Sequence, residues 1–222
     1  MIPLDIISDP ICPWCYIGWT NLARAMEARP DHPFAIEWHP FQLNPDMPEG
    51  GMDRREYLEL KFGGREGAVR AYQPVVDHAE AAGLTLNLDR IARTPSTIDA
   101  HRLIHWAGIE GRQTPAAIAL FRAYFVDGRD IGDHATLRDI AESVGMDGAM
   151  VATLLAGDAD TADIRARDAN SRARGVTGVP CFVVARQHVV TGAQPPELWL
   201  QVIDELKEAQ EAAPGPAAGP LQ

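Results

Sequence analysis

Two thiols three residues apart, Cys12 and Cys15, flank Pro13 and Trp14 and are the residues of this chain best suited to covalent chemistry. A Cys-X-X-Cys pair can shuttle between dithiol and disulfide, and its local setting decides whether it does. Here Ile2-Pro3-Leu4-Asp5-Ile6-Ile7 reads as a short buried strand and Ser8-Asp9-Pro10 as the turn that ends it. Pro13 suits the first position of a helix, because its missing N–H had no intrahelical partner to lose. Tyr16, Trp19, Leu22, Ala23 and Met26 then recur at helical spacing. Cys12 is thereby placed at the positive end of a helix dipole, among orphan N–H groups, with Cys15 one turn inside.

Dithiol exchange needs an exposed, ionised attacker and a second sulfur within bonding reach. Cys12 is the expected nucleophile and Cys15 the resolving thiol. Helix N-termini and Cys-X-X-Cys motifs lower a thiol pKa from about 8.5 to between about 3.5 and 7.5. A charged Asp9 close by would oppose that. Competing readings are weaker. A zinc site would draw on Cys181, the only other cysteine, and on His39 or His188, without recognisable ligand spacing. A structural disulfide belongs mostly to small domains in oxidising compartments. Inert core cysteines do not account for a strand–turn–helix junction, and no metal is expected.

The elements that must position this pair come from a chain of 222 residues, 46% hydrophobic, enough for one large or two small domains with a sizeable core. No stretch approaches the apolar length of a membrane span. The chain opens directly in its first strand, without the pattern of a secretory signal, so the expectation is a soluble, cytoplasmic protein. A formal net charge of −11 with no basic patch disfavours nucleic acid and anionic membranes as partners.

After the first helix, Phe34-Ala35-Ile36-Glu37-Trp38 alternates apolar and polar residues as a second strand, closing a βαβ unit. The proline- and glycine-rich stretch Phe41 to Gly51 reads as a linker, and everything from about Asp53 to Gly157 as helical. Within it, Thr114-Pro115 reads as a helix cap and Asp133 or His134 as another helix start. Asp160 to Arg174 is a further helix ended by Gly175 and Gly178. Cys181-Phe182-Val183-Val184 and His188-Val189-Val190-Thr191 form a hairpin around Ala185-Arg186-Gln187, before a last helix carrying Leu198, Trp199, Val202, Ile203 and Leu206. From Ala212 the Ala, Gly and Pro tail reads as disordered.

Removing the central helices from this order leaves βαβ, then α, ββ and α. With Ser8-Asp9-Pro10 leading into Cys12-Pro13-Trp14-Cys15-Tyr16-Ile17-Gly18, then Phe41-Gln42-Leu43-Asn44-Pro45, Asp99-Ala100-His101-Arg102-Leu103 and Gly175-Val176-Thr177-Gly178-Val179-Pro180, the chain resembles the DsbA-like thioredoxin family, and within it the FrnE-type thiol-disulfide oxidoreductases. The resemblance implies an α/β thioredoxin-like fold with an inserted all-helical domain. Its parts are 1–45 and 159–211 for the thioredoxin-like domain, 46–158 for the insert and 212–222 for the disordered tail. It also implies a cis bond at Val179–Pro180 facing the dithiol, where Pro180 otherwise reads as an ordinary strand-opening proline. A cis bond there would turn the backbone of Val179 outward, ready to pair with an extended substrate segment. The chain departs from related sequences at Ser96-Thr97, where Asn-Thr is common, and at Cys181, where an apolar or aromatic residue is usual.

The function implied is a protein disulfide oxidoreductase or isomerase acting on a disulfide-containing protein or peptide. It would need no tightly bound cofactor, with glutathione as a candidate co-substrate and a homodimer as a candidate assembly. Cys12 and Cys15 are the catalytic residues. Pro13, Trp14, Val179 and Pro180 are the motif and substrate-binding residues. Cys181, Asp9, His39 and His101 are auxiliary candidates, although Cys181 also reads as a small buried hydrophobe and His101 as a hydrogen-bonded packing residue. Two alternatives stay open. One is a glutathione-dependent isomerase or transferase of the 2-hydroxychromene-2-carboxylate isomerase type, acting on a small aromatic or polyketide-like substrate, which needs no resolving cysteine. The other is a non-catalytic binding module.

Overall fold

The computed structural model describes residues 1–212 of the chain, so the tail expectation at 213–222 falls outside them. Ala212, where that tail was expected to begin, is instead the last residue of the final helix. Strand β1 (Ile2–Ser8) leads through helix α1 (Pro13–Ala28) to β2 (Phe34–Pro40). The two strands pair in parallel, Ile2 opposite Phe34 through Ser8 opposite Pro40. After the helical stretch come β5 (Cys181–Val184) and β6 (His188–Thr191). β5 lies antiparallel to β1 and β6 antiparallel to β5, which gives one sheet in the order β2-β1-β5-β6. Buried β1 thus has a partner on each side, consistent with its nearly continuous apolar run.

Alternation along the strands sorts the side chains onto two faces. Leu4, Ile6, Phe182 and Val184 face one way and join a core with Leu22 of α1 and Trp199 of the last helix, α9 (Pro196–Ala212). Phe182 and Trp199 meet edge to face at 4.8 Å, a pairing that adds about 0.5–1.5 kcal/mol to simple burial. Ile7 and Cys181 point the other way and pack with Phe41.

The stretch between β2 and β5 is helical in the main, as its periodicity suggests: α2 (Arg54–Phe62), α3 (Arg65–Ala81), α4 (Ile98–Ile109), α5 (Gln113–Phe125), α6 (His134–Ser143), α7 (Gly148–Leu155) and α8 (Thr161–Ala173). Three details depart from expectation. Met52–Asp53 (β3) and Arg93–Thr94 (β4) form a two-residue antiparallel ladder, too short to leave a period in the sequence. The Phe41–Gly51 segment is not a free linker at its start, since Phe41 and Gln42 are buried. Thr114 does not cap α5, because its hydroxyl accepts the indole N–H of Trp38 at 2.9 Å while Arg112 occupies the cap position. Asp133 does cap α6, its carboxylate accepting the Thr136 N–H.

Helix α1 is wedged between sheet and helical layer. Tyr16 stacks on Phe121 at 5.2 Å, and Trp19 meets Trp38 at 5.2 Å. Leu4, Phe121, Leu137 and Trp199 accordingly belong to one continuous core. Arg102, 2% exposed, pairs with the Asp99 carboxylate of its own helix and ties α4 to the end of α7 and the loop after it through the carbonyls of Leu154, Gly157 and Ala159.

The hairpin turn joining β5 to β6 carries strain. Ala185 and Arg186 have φ of 54° and 59°, left-handed values that cost a side-chain-bearing residue about 1–2 kcal/mol each. Arg186 is exposed, so Arg186→Gly is expected to raise stability by about 0.5–1 kcal/mol, the relief of strain less the added freedom of the unfolded chain. Urea unfolding checks this; a lower midpoint at unchanged slope would contradict it.

Candidate active site

The chain between β1 and α1 folds so that its backbone serves the dithiol. Cys12 is the N-cap of α1 in extended conformation and Pro13 follows at the start of the helix, as the spacing predicts. The Cys12 N–H donates to the Asp9 carbonyl at 2.9 Å, and the Cys12 carbonyl accepts the Cys15 N–H at 3.1 Å. Both cysteines are free thiols, and their sulfurs lie close enough to interact directly. Burial pushes the Cys15 thiol up, and the neighbouring Cys12 sulfur pushes it further, while the Ser8 hydroxyl and the Asp9 N–H partly offset this by donating to it. Cys15 is thus held as a protonated thiol beside Cys12.

The expectation of an exposed Cys12 is corrected: the residue is 3% exposed. Its Sγ–H donates to the carbonyl of Val179, 167 residues later, at 3.6 Å, and Val179 packs over the same cluster. A helix end is legible locally, whereas the loop that folds against it from far along the chain is not. The Val179–Pro180 bond is cis. Gly18 gives this loop its seat, since a Cβ there would lie 3.1 Å from Pro180 Cγ and 3.3 Å from Ala193 Cα. Trp14, half-buried, meets His78 of α3 edge to face at 5.2 Å, bringing the helical layer to the rim of the dithiol.

Asp9, whose charge would oppose a thiolate if the carboxyl were ionised, lies away from solvent. It is completely buried, and its carboxyl accepts the N–H of Leu43 at 2.6 Å and of Ile11 at 3.4 Å. Burial raises its pKa to about 7 against the opposing pull of those N–H groups and of the Thr97 hydroxyl. His101, 3% exposed, places Nε2 3.3 Å from the Phe41 carbonyl and 3.9 Å from Asp9 Oδ1. Burial lowers its pKa to about 4. Asp9 and His101 therefore form a buried pair beneath the turn, tied to the Phe41–Leu43 loop.

A groove of about 850 Å³ opens beside Val179 and Pro180 and is also lined by Ile7, Cys181, Val183 and Arg174. Cys181 borders it but is 3% exposed, and burial raises its thiol pKa, which suits a packing residue better than a nucleophile. His39 lines the same groove, and its polar neighbours are Asp5, Glu37 and Arg167. Its Nε2 lies 3.3 Å from Asp5 Oδ1 and 3.9 Å from Glu37 Oε1, a trio spaced to suggest a cation site. The Arg167 guanidinium, which can only donate, faces His39 Nδ1 at 3.5 Å. That puts the ring hydrogen on Nε2, where a cation would need the lone pair.

Sequence reasoning missed Ser8 and Thr97 as partners of Cys15 and Asp9, and missed the Leu43 N–H. A serine directly before Asp9-Pro10 was the one available signal. Among the described residues, no helix is long and apolar enough to cross a membrane.

Three relatives frame these observations. The uncharacterized protein YwbO of Bacillus subtilis (strain 168) is 26% identical over 211 residues, covering 93% of this chain and 98% of its own. The crystal structure of the probable DsbA oxidoreductase SCO1869 from Streptomyces coelicolor superposes with a TM-score of 0.83 at 31% identity, covering 100% of this chain and 93% of that one. The cytosolic disulfide reductase DsbM from Pseudomonas aeruginosa, solved with GSH, has a TM-score of 0.65 at 22% identity, covering 93% of this chain and 99% of its own. At that identity the likeness speaks for the fold. Residues 3–204 match the family described as DSBA-like thioredoxin domain, and with the sheet order, the helical layer and the dithiol at the head of α1, the chain belongs to that family.

Proposed function

We propose that this protein is a thiol-disulfide oxidoreductase that exchanges its Cys12/Cys15 dithiol with disulfides of proteins or peptides. The observation that carries the reading is two free, adjacent sulfurs in unlike settings. Cys12 stands at the helix N-terminus, and Cys15 lies deeper, its thiol pKa raised by burial and by its neighbour. As thiolate, Cys12 attacks a substrate disulfide, forming a mixed disulfide and releasing one substrate thiolate. Cys15 then loses its proton and attacks the Cys12 sulfur; the internal disulfide forms and the second substrate thiolate leaves. The substrate gains two electrons and the dithiol loses two. Reversal of the same steps oxidises a substrate dithiol, and the reduction potential against the surroundings sets the direction.

The Val179 carbonyl, now accepting from Cys12, becomes available to an extended substrate backbone once that sulfur is engaged, and the adjacent groove gives such a segment room. Glutathione is the proposed small-molecule donor that returns the internal disulfide to the dithiol. The deep, adjacent Cys15 favours this reading over a glutathione-dependent isomerase, which has no use for a resolving thiol. Equilibration in glutathione redox buffers followed by peptide mapping tests it. A Cys12–Cys15 disulfide that forms and breaks with the buffer, together with accelerated insulin reduction, is expected. A dithiol inert across the whole range of buffers would overturn it.

A further inference from the structure

Arg54 is out of place by every rule of stability. It is 5% exposed, yet no carboxylate among the described residues lies within ion-pair distance of it. It opens α2, where the helix dipole disfavours a cation. Its guanidinium, which can only donate, here donates only to hydroxyls: Tyr72 at 2.9 Å, Tyr124 at 3.0 Å and Thr94 at 3.5 Å. The rings of Tyr72 and Tyr124 add cation–π contacts at 5.5 and 5.6 Å. A buried charge without a counter-charge costs several kcal/mol, by order of magnitude, and hydroxyls return only part of it.

Nearby lies Cys12, which is anionic when it attacks in the proposed reaction and again when it leaves. Tyr72 belongs to α3, which packs on α1 through Val75, Ala79 and Ile17, with Trp14 and Tyr72 bordering the same cluster. An ionised Cys12 is close enough to oppose ionisation of the Tyr72 hydroxyl. Tyr124 spends its O–H hydrogen on the Arg93 carbonyl, whereas among the described residues that of Tyr72 has no protein acceptor. We propose that Arg54, acting through the Tyr72 hydroxyl, is a positioning residue that stabilises the thiolate of Cys12, both when that sulfur attacks and when it leaves. The helical layer would then supply the charge for a reaction whose sulfurs sit at the head of α1.

The proposal rests on Cys12 being the nucleophile. Other titratable groups that face this region are Asp9 and Cys15 from the β1–α1 turn and helix α1, Tyr57 from α2, Tyr72 and His78 from α3, His101 from α4 and Tyr124 from α5. Comparing Arg54→Gln and Arg54→Lys with the parent keeps all of these groups constant, and Tyr72→Phe removes the Tyr72 hydroxyl alone. The test is the rate of Cys12 alkylation by iodoacetamide against pH, read by mass spectrometry. Arg54→Gln is expected to move the midpoint upward enough to slow alkylation about ten-fold on the acidic side, Tyr72→Phe about two- to three-fold, and Arg54→Lys to restore most of the parent rate. Unchanged midpoints overturn the role of Arg54. Should Arg54→Gln not fold, Tyr72→Phe decides alone. A parent protein whose Cys12 resists alkylation while Cys15 reacts would instead overturn the nucleophile assignment.

Discussion

Replacing Cys15 by serine is expected to turn a turnover catalyst into a trap. The mixed disulfide on Cys12 then has no internal sulfur to displace it, so a covalent adduct with an insulin chain accumulates and dithiothreitol releases it. Multiple turnover should fall by at least about 100-fold, whereas Cys12→Ser should lose exchange by at least about 1,000-fold and form no adduct. Cys181→Ser should behave as the parent, since Cys181 is buried with Ile7 and Phe41 and its thiol pKa is raised. Non-reducing gels and peptide mapping read all three. If the adduct sits on Cys181, the assignment of roles fails. If Cys15→Ser keeps full turnover with glutathione on a small aromatic substrate and neither form reduces insulin, the isomerase reading replaces it.

The burial of Cys12 bears on this result. Its sulfur is covered by Val179, with which it shares a hydrogen bond, so substrate must displace a contact of modest strength before attack. Sulfur is a weak donor, and the bond at 3.6 Å is correspondingly easy to exchange for a substrate contact.

What was legible in the chain was what is local. Pro13 at the head of a helical stripe, a β-branched run before it and a turn between them place Cys12 at the N-cap, where the structure has it. The four strands of the sheet follow from their runs in the same way, and the start of α6 from its Asp133 cap. Contacts between distant segments left no such trace. Thr114 looks like a cap until Trp38, 76 residues earlier, claims its hydroxyl. Arg54 looks like one more surface charge at the start of a polar helix until Tyr72 and Tyr124 enclose it. Val179–Pro180 was placed against the dithiol by the family resemblance and not by its own residues. The burial of Asp9 is not legible either, because it depends on Leu43 and on Thr97 and His101 at the start of α4, both far along the chain from it.

That burial has a consequence for stability. The Asp9 carboxyl, with a folded pKa of about 7 against an ordinary 3.8, contributes stability that is fully present below about pH 3.8 and lost as pH rises through about 7. His101, at about 4 against 6.5, contributes stability that is fully present above about pH 6.5 and lost as pH falls through about 4. The two groups are 3.9 Å apart and both stay neutral between about pH 4 and 6.5, so their opposing slopes nearly cancel there. Each single variant should expose the other partner. Asp9→Asn should lose stability relative to the parent as pH falls from about 7 to 4, by up to about 4 kcal/mol, because the gain from protonating Asp9 is gone and only the penalty on His101 is left. His101→Gln, which keeps a donor for the Phe41 carbonyl, should gain relative to the parent as pH falls from about 6.5 to 4, by up to about 3 kcal/mol. Urea midpoints at half-unit pH steps give both difference curves, and the background from exposed carboxylates drops out of each difference. Curves parallel to that of the parent would mean that Asp9 and His101 do not titrate as a buried neutral pair. Since the Asp9 backbone holds the Cys12 N–H and faces the Cys15 sulfur, the same variants should also shift the reduction potential, linking the protonation of this pair to the chemistry above it.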